Sequence, residues 1–409
     1  MNYRVIVTCP DETKGILAAE LEALGAKKIE QKYKAVDCEV SEEVFYRMHL
    51  KLRTASRVLR VIKEFPAHDE RMLFDQGKRI NWPTYFSADK TFLVEGVAAD
   101  RGEEFMGSND ISKKIREGLQ HVFNLKTGTI PKVDLKETDI TIVAFVHKGR
   151  CVLSFDTAGK TLHKRGFRLD GHPAPIKETL AASLLLMAGY DGSQVFYDPM
   201  CGSGTIAIEA AYIALKKSPQ IHRKRGEFGF ELLADFNREL WRKVQESARS
   251  ERLTKTPQPI FASDINADYV ELAKQISLRA RVERDINFAR RDFLTAAAPA
   301  PAGLIVTNLP YGERIGGKRS KEGEAADEEI KSFYAAIGDK LKKDYKGWRI
   351  ALLAAESAPY KFIGLKPTRK IPVLNGSISA RLLIFDIYEG TRRFGDSANR
   401  GHRSNPQSN

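Results

Sequence analysis

The sequence has 409 residues, of which 42% are hydrophobic and 29% are charged. These values exclude a chain that is disordered throughout and favour a soluble globular protein of two or three domains. Lysine and arginine number 66 against 53 aspartate and glutamate, so the formal net charge is +13. This surplus favours a polyanionic partner, with nucleic acid ahead of an anionic membrane surface.

The sequence shows no signal for a membrane span or for export. The longest mostly apolar stretch, residues 180–190, is too short to cross a bilayer. The N-terminal segment lacks the charged and then apolar regions of a signal peptide. The four cysteines are too widely spaced for a zinc knuckle or a disulfide scaffold. We therefore expect a cytoplasmic protein without a metal site.

Two small domains that mix helices and strands are predicted at the N-terminus. In residues 1–65, an alternating apolar segment at 3–9 predicts a strand, and helical periodicity marks 14–26 and 42–50. Residues 66–156 form the second predicted domain. Its predicted elements are strands at 91–98, 139–146 and 151–156 and a helix at 108–122.

Residues 157–175 combine glycine, proline and basic residues and are predicted to link these domains to the rest of the chain. The same composition fits a hinge that contacts phosphate. Its basic side chains are Lys160, Lys164, Arg165 and Arg168. Both interpretations stay open from this segment alone.

Helices alternate with short apolar strands over residues 176–390. This alternation predicts a mostly parallel α/β sheet covered on both faces, with an antiparallel hairpin around Asn375 and Gly376. A polar tail at 391–409 is predicted to be a disordered basic segment. Strands are predicted at 195–197, 260–263, 287–289, 303–307, 349–354, 368–374 and 380–388, and helices at 177–188, 204–215, 267–282 and 328–343.

A long polar insertion, residues 216–258, interrupts this alternation. It carries a basic run that includes Arg223, Lys224 and Arg225. Such runs are usually solvated surface, and we expect that here, with contact to RNA phosphates as the alternative.

The segment 195–211 carries the clearest chemical signal. A strand is predicted to end at Asp198, and a turn with Gly202 and Gly204 leads into a helix. Glycines let a ligand approach the backbone, and a helix N-terminus presents free N–H groups. The third glycine of a dinucleotide-binding turn is replaced by Ala207, and the P-loop ending is absent. The acid before the turn would repel phosphate but suit an ammonium and a sulfonium, which points to S-adenosylmethionine rather than NAD or ATP.

Two further acids follow the next strands. Asp264 ends the second strand, where it could accept hydrogen bonds from ribose hydroxyls. Asp292 follows the third, where it could accept from an adenine amino group. Any one of these acids alone would be a surface or capping residue. Three acids at the carboxyl ends of successive parallel strands indicate a ligand site.

The fourth strand leads into Asn308, Leu309, Pro310 and Tyr311. An amide oxygen of Asn308 and the Leu309 carbonyl could accept the two N–H bonds of a target amine and so direct its lone pair toward a methyl group. Tyr311 could stack on an extruded base, an interaction worth ~1–3 kcal/mol. Catalysis would then depend on orientation and preorganised acceptors rather than on a strong base.

These motifs resemble a known family. The runs DPMCGSGT, FASDI and NLPYGERI are similar to those of class I S-adenosylmethionine-dependent methyltransferases that modify exocyclic amines. Within them, the sequence resembles the THUMP-domain branch, the bacterial ribosomal RNA guanine-N2 methyltransferases of the RlmL type. The segments VTCPDETKGILAAELEALGA and LHKRGFRLDGHPAPIKETLAASLLLMAG carry the resemblance outside the catalytic motifs.

The resemblance implies a Rossmann-like domain with a mostly parallel seven-stranded sheet at 176–390, preceded by a ferredoxin-like domain at 1–65 and a THUMP domain at 66–156. It implies a target-amine site at Asn308, Leu309, Pro310 and Tyr311. The implied cofactor contacts are Asp198, Pro199, Cys201, Gly202, Ser203, Gly204, Thr205, Asp264, Ile265, Asp292, Phe293 and Asn308. Candidate RNA contacts are Lys160, Lys164, Arg165, Arg168, Arg223, Lys224 and Arg225.

The expected activity is therefore methyl transfer to the N2 amine of a guanosine, with 23S ribosomal RNA as the expected substrate. The family's bifunctional bacterial enzyme also makes 7-methylguanosine with a second methyltransferase domain, and no second Gly-rich site is present here. Two alternatives stay open: a DNA adenine-N6 methyltransferase, since its motif is the same, and a non-catalytic RNA-binding factor for ribosome assembly.

Overall fold

A computed structural model describes residues 2–99, 106–169, 176–310 and 324–388. Tyr311, the end of the predicted linker and the predicted disordered tail lie outside the described residues. Within the described part of the chain, no helix combines the length and the apolar character that a membrane span requires.

The N-terminal half forms one seven-stranded sheet in the order β2-β3-β1-β4-β7-β6-β5. All neighbours are antiparallel except β5 and β6, which are parallel. Because β4 pairs with β7, the two predicted N-terminal domains share a continuous sheet. The elements are β1 (Asn2–Thr8), α1 (Lys14–Ala23), β2 (Lys27–Lys32), β3 (Ala35–Ser41), α2 (Glu42–Lys51), β4 (Arg57–Pro66), α3 (Glu70–Lys78), β5 (Phe92–Ala98), α4 (Ser108–Thr127), β6 (Ile140–His147) and β7 (Arg150–Asp156).

Local sequence signals explain these elements. Val5 and Val7 alternate with more exposed neighbours along β1 and are fully buried. Leu17 and Leu21, four residues apart, form the buried face of α1. After this helix the chain turns at Gly25, whose φ of 94° lies in the left-handed region that glycine adopts without strain.

The C-terminal half forms a second seven-stranded sheet in the order β10-β9-β8-β11-β12-β14-β13. The first five strands are mutually parallel, and β14 is antiparallel to both its neighbours. The strand order reverses between β8 and β11, and α/β sheets bind ligands at the carboxyl ends of the strands beside such a reversal. The elements are α5 (Glu178–Met187), β8 (Phe196–Asp198), α6 (Thr205–Ala214), α7 (Arg238–Ser250), β9 (Ile260–Asp264), α8 (Ala267–Arg279), β10 (Asn287–Arg290), β11 (Leu304–Asn308), α9 (Glu324–Asp344), β12 (Arg349–Ala355), β13 (Arg369–Asn375) and β14 (Ile378–Asp386).

The fold class predicted from the sequence, a mostly parallel α/β sheet behind two α+β units, is confirmed by this topology. The strands and helices that the patterns predicted are present, with differences at their ends. No sequence pattern indicated β2, β3, β4, α3 or α7.

Lys224 and Arg225 of the basic run are exposed as expected, but much of the polar insertion at 216–258 is not solvated surface. Phe228, Phe230 and Trp241 are buried in the same hydrophobic cluster as Phe45 and Tyr46 of α2. The ring centroids of Tyr46 and Phe230 lie 5.0 Å apart. The insertion therefore completes the core of the N-terminal unit. Within α7, the buried residues Trp241, Val244 and Ala248 recur at helical spacing among many charged residues, so the average composition of the segment does not reveal them.

Candidate active site

The turn between β8 and α6 has the backbone shape that its glycines allow. Gly202 and Gly204 have φ angles of 51° and 77°, and Gly204 caps α6. A Cβ atom on Gly204 would lie only 3.0 Å from the Cβ of Ala273, so a larger residue does not fit without movement. The Cys201 N–H donates to the Ser263 carbonyl at 2.9 Å, which fastens the turn to β9. Ser203 and Thr205 contact each other through their hydroxyls at 3.3 Å.

Asp198, at the end of β8, is 1% exposed. Its Oδ1 accepts hydrogen bonds from the Thr307 hydroxyl at 2.7 Å and from the Met200 N–H at 3.4 Å. Its Oδ2 is buried, and no described group donates to it. Burial raises the pKa of Asp198 to about 7. A buried carboxylate oxygen without a donor fits a cationic ligand group such as an amino-acid ammonium.

Asp264, at the end of β9, faces the same turn. Its Oδ2 accepts from the Gly202 N–H at 2.9 Å, and its Oδ1 accepts from the Asn266 N–H at 3.0 Å. Each oxygen of a carboxylate has further lone pairs, so hydroxyl groups of a ligand could bind as well. The next residue, Ile265, is 63% exposed and offers an apolar surface beside the acid.

Asp292 and Phe293 follow β10. The Asp292 carboxylate accepts from the Leu294 N–H at 2.9 Å. The Phe293 ring is buried, with its centroid 5.5 Å from that of Tyr345. Contact between the Phe293 side chain and a cofactor is therefore not supported, because that ring packs in the core. Its main chain is the part that could still reach a ligand.

The predicted target-amine motif begins at the end of β11. The Asn308 Oδ1 is buried, and no described group donates to it. Leu309 is fully buried and its N–H donates to the Leu353 carbonyl at 2.9 Å. The Pro310 carbonyl accepts from the Tyr334 hydroxyl at 3.3 Å, a contact to α9 that no motif indicated. Tyr311 lies outside the described residues, and its stacking role stays a prediction.

The comparisons with known proteins agree with this geometry. Residues 165–384 match the family model of the RMKL-like methyltransferase domain. The chain belongs to this family. Residues 67–156 match the THUMP domain, and residues 4–59 match the RlmL ferredoxin-like domain.

Similar proteins support the same assignment. The chain is 32% identical to the ribosomal RNA large subunit methyltransferase K/L of Vibrio campbellii over 95% of its own length and 54% of that protein. It therefore spans about half the length of such curated relatives. A structure described as a possible methylase from Clostridium difficile 630 has a TM-score of 0.84 and 28% identity, covering 96% of this chain and 100% of that one.

A second solved structure bears on the cofactor. SMU.472, described as a methyltransferase, was crystallised with S-adenosylhomocysteine and has a TM-score of 0.81 at 25% identity. The match covers 95% of this chain and 99% of that one. The predicted family and S-adenosylmethionine as its cofactor are thereby confirmed. The orphaned Asp198 oxygen and the constricted glycine turn are the features of this chain that fit that cofactor.

Arg165 is not available as an RNA contact in this structure. Its side chain is fully buried, and its Nε lies 3.2 Å from Oε1 of Glu209. The other two guanidinium nitrogens donate to the carbonyls of Leu162 and Arg53 at 2.6 Å each. The prediction that Arg165 contacts RNA is therefore wrong, because its side chain is buried within the protein. The sequence showed the charge of Arg165 but not its burial.

Arg223 is half-buried, and main-chain carbonyls hold its side chain. Its guanidinium donates to the carbonyls of Ala158 and Lys160 at 2.6 Å and of Thr161 at 3.0 Å. Burial lowers the pKa of Arg223 to about 10. It ties the insertion to the linker, and its contact with RNA stays a prediction.

The other basic candidates lie at the surface. Lys160 pairs with Glu227 at 2.9 Å, and Arg168 pairs with the buried Glu178 at 3.1 Å. These pairs leave part of each cation accessible to an anion. The exposed candidates that remain are Lys164, Lys224 and Arg225.

The cysteines offer no nucleophile for covalent catalysis. Cys9, Cys38, Cys151 and Cys201 are all free and buried. Burial raises the pKa of Cys201 well above its usual value, so the thiol next to the cofactor turn stays protonated. Among the described residues, no three histidine, cysteine or acidic side chains converge on a metal site.

Proposed function

We propose that this chain transfers the methyl group of S-adenosylmethionine to the exocyclic N2 amine of a guanosine in RNA, with 23S ribosomal RNA in the cytoplasm as the substrate. The observation that carries the proposal is the buried, unpartnered Oδ1 of Asn308 at the end of β11. It is an acceptor held ready for a donor, and an exocyclic amine is the donor that the adjoining cofactor site would methylate.

The cofactor supplies an electrophilic methyl group on a sulfonium. In our proposal, the unpartnered Asp198 oxygen binds the ammonium of its methionine moiety, because a buried carboxylate without a donor is stabilised by a cation. Asp264 accepts from the ribose hydroxyls, and Ile265 supplies an apolar surface for the adenine. Asp292 accepts from the adenine amino group.

The target amine is activated by orientation. The Asn308 amide oxygen and the Leu309 carbonyl accept its two N–H bonds, so the lone pair points at the methyl carbon. That lone pair forms the new N–C bond as the C–S bond breaks, and the methylated nitrogen then loses a proton to water. The chain needs no strong base, because preorganised acceptors supply the stabilisation.

The RNA part of the proposal is supported by three observations. The chain matches the THUMP and RlmL ferredoxin-like domain models, the Vibrio relative carries a ribosomal RNA methyltransferase name, and the net charge is +13. We therefore propose that residues 1–156 bind RNA while residues 176–390 carry out the methyl transfer. Contacts to phosphate come from exposed basic side chains, three in the linker (Lys160, Lys164 and Arg168) and two in the insertion (Lys224 and Arg225).

The test is a transfer assay with radiolabelled S-adenosylmethionine. Ribosomal RNA from a strain that lacks the gene is compared with genomic DNA from the same strain. We expect label in RNA alone. Label in DNA alone would contradict the proposal and favour an adenine-N6 enzyme. Binding of S-adenosylhomocysteine without transfer to either polymer would contradict it in favour of an assembly factor.

A further inference from the structure

Three charged side chains, two of them fully buried, join the N-terminal unit to the helix that follows the cofactor turn. Arg165 uses all three guanidinium nitrogens: one contacts Glu209 of α6, and the other two contact the carbonyls of Leu162 and Arg53. Arg165 and Glu209 both have fully buried side chains. We call Arg53, Arg165 and Glu209 the α6 clamp.

The clamp holds α6 at two levels. Glu209 lies one turn after Thr205, where the helix begins. Arg53, from the N-terminal unit, donates to the carbonyls of Tyr212 at 3.2 Å and Lys217 at 2.9 Å, near the end of the same helix. The N-terminal unit therefore contacts α6 both near its start and near its end. This is the helix that follows the cofactor turn.

Arg53 is itself fixed from the N-terminal side. Its N–H donates to the half-buried carboxylate of Glu20 on α1 at 2.8 Å, and the N–H of Thr54 donates to the same carboxylate at 3.1 Å. The backbone that carries Arg53 is thus anchored to α1, so α1 and α6 are connected through Glu20, Arg53, Arg165 and Glu209. These contacts join the first strand–helix unit of the chain to the cofactor helix.

A buried ion pair of this kind is a weak source of net stability, because desolvation offsets much of the attraction between the charges. Its directional contacts do fix geometry, since a planar guanidinium with three partners permits one arrangement. The insertion also packs into the hydrophobic core of the N-terminal unit and so holds the two halves of the chain together. Hydrophobic packing is not directional, so it restricts their relative orientation less than the hydrogen bonds of Arg165 do.

We infer that Arg165 is a positioning residue: it sets the distance and orientation between the N-terminal RNA-binding unit and the cofactor turn. The nucleotide that reaches the methyl group is then the one that lies at a fixed distance from the RNA-binding surface of the N-terminal unit. The positioning role of Arg165 is inferred from the contacts above. Its consequence for nucleotide selection rests on the proposed function.

The first experiment measures the distance between the N-terminal unit and the methyltransferase domain. The four native cysteines are buried, so cysteines introduced as L135C and L278C, at side chains that are 77% and 60% exposed, can be spin-labelled selectively. The Arg165–Glu209 pair of the clamp is removed by the double substitution R165M/E209M, which takes out both members of the buried ion pair together. The matched control is R242M/E246M, which removes an exposed Arg–Glu pair on α7.

We expect one narrow distance distribution in the parent protein and in the α7 control, and a broadened or shifted distribution in the clamp variant. An unchanged distribution in a folded clamp variant would overturn the inference. Because R165M/E209M could fail to fold, Arg165→Lys serves as a second variant: it keeps a cation for Glu209 but lacks the fork that reaches both carbonyls. An unchanged distribution in Arg165→Lys would equally overturn it.

The second experiment uses catalysis and separates positioning from simple stabilisation. At a temperature where both proteins are folded, the clamp variant should bind S-adenosylhomocysteine as the parent does. Its kcat on full-length ribosomal RNA should fall by about 10²-fold, or label should appear at neighbouring nucleotides, because an ångström-scale misplacement costs that much. Parent-like kcat with an unchanged methylation position would overturn the inference. Failure of the parent to methylate RNA would instead refute the proposed function, and the distance measurement would still decide the positioning claim.

Discussion

The Thr307 hydroxyl donates a hydrogen bond to Oδ1 of Asp198 at 2.7 Å, although the two residues are 109 positions apart in the chain. Both side chains are buried, and they lie on the adjacent parallel strands β11 and β8. Thr307 directly precedes Asn308, so this bond connects the predicted ammonium site with the predicted amine site. It also leaves Oδ2 as the Asp198 oxygen that is free to bind a cation.

Replacing Thr307 with valine should weaken cofactor binding without disturbing the shape of the site. Valine has the size of threonine but cannot donate, and the lost bond is one that lowers the pKa of Asp198. We expect the affinity for S-adenosylhomocysteine at pH 7 to fall by roughly tenfold, measured by calorimetry. Unaltered affinity would show that Thr307 does not support the ammonium site.

Cofactor affinity should depend on pH near neutrality. Burial raises the pKa of Asp198 from 3.8 to about 7, so the carboxyl is mostly protonated at pH 6 and mostly ionised at pH 8. Only the ionised form attracts an ammonium, so affinity for S-adenosylhomocysteine should rise about tenfold from pH 6 to pH 8. Asp198→Asn should bind weakly and lose this dependence. A flat profile in the parent protein would contradict the assignment of Asp198.

Asp264 should contribute to cofactor affinity more than a nearby acid does. Asp264→Ala removes the acceptor for the Gly202 N–H and for the ribose hydroxyls, which should cost about 1–3 kcal/mol of binding free energy. The control is Asp268→Ala, an exposed acid in the first turn of α8. Equal affinities of the two variants in calorimetry would argue against a ribose role for Asp264.

Trp241 should stabilise the N-terminal unit even though it follows the cofactor turn in sequence. Its ring is buried against Phe230 and Phe228, at centroid distances of 5.0 and 5.4 Å. Trp241→Ala should lower the free energy of unfolding by about 3–5 kcal/mol. The neighbouring exposed Arg242→Ala should change it by less than about 0.5 kcal/mol. Similar denaturation midpoints for the two variants would show that α7 is not part of that core.

The placement of Asp198, Asp264 and Asn308 could be predicted from the sequence because each signal is local. A short apolar strand followed by an acid or an asparagine marks a strand end, and alternation with helices implies parallel strands. Parallel strands bring their carboxyl ends to one edge, so these three side chains meet at that edge. The ligand roles of these residues stay predictions.

The burial of Arg165 and Phe293 could not be predicted in this way. Sequence patterns give the charge of an arginine but not its partners, and Glu209 lies 44 residues from Arg165. The pairing of β4 with β7 and the packing of α7 on α2 are likewise contacts between distant segments. Such contacts are set by the tertiary fold, and no local periodicity reports them.

Identification of the methylated nucleoside shows whether the chain modifies the N2 amine of guanosine. Ribosomal RNA from a strain without the gene is incubated with the purified chain and S-adenosylmethionine, digested, and analysed by mass spectrometry. We expect N2-methylguanosine, formed about 10²-fold more slowly by Asn308→Ala, with binding of S-adenosylhomocysteine unchanged. N6-methyladenosine as the product, or an unchanged rate for Asn308→Ala, would contradict it.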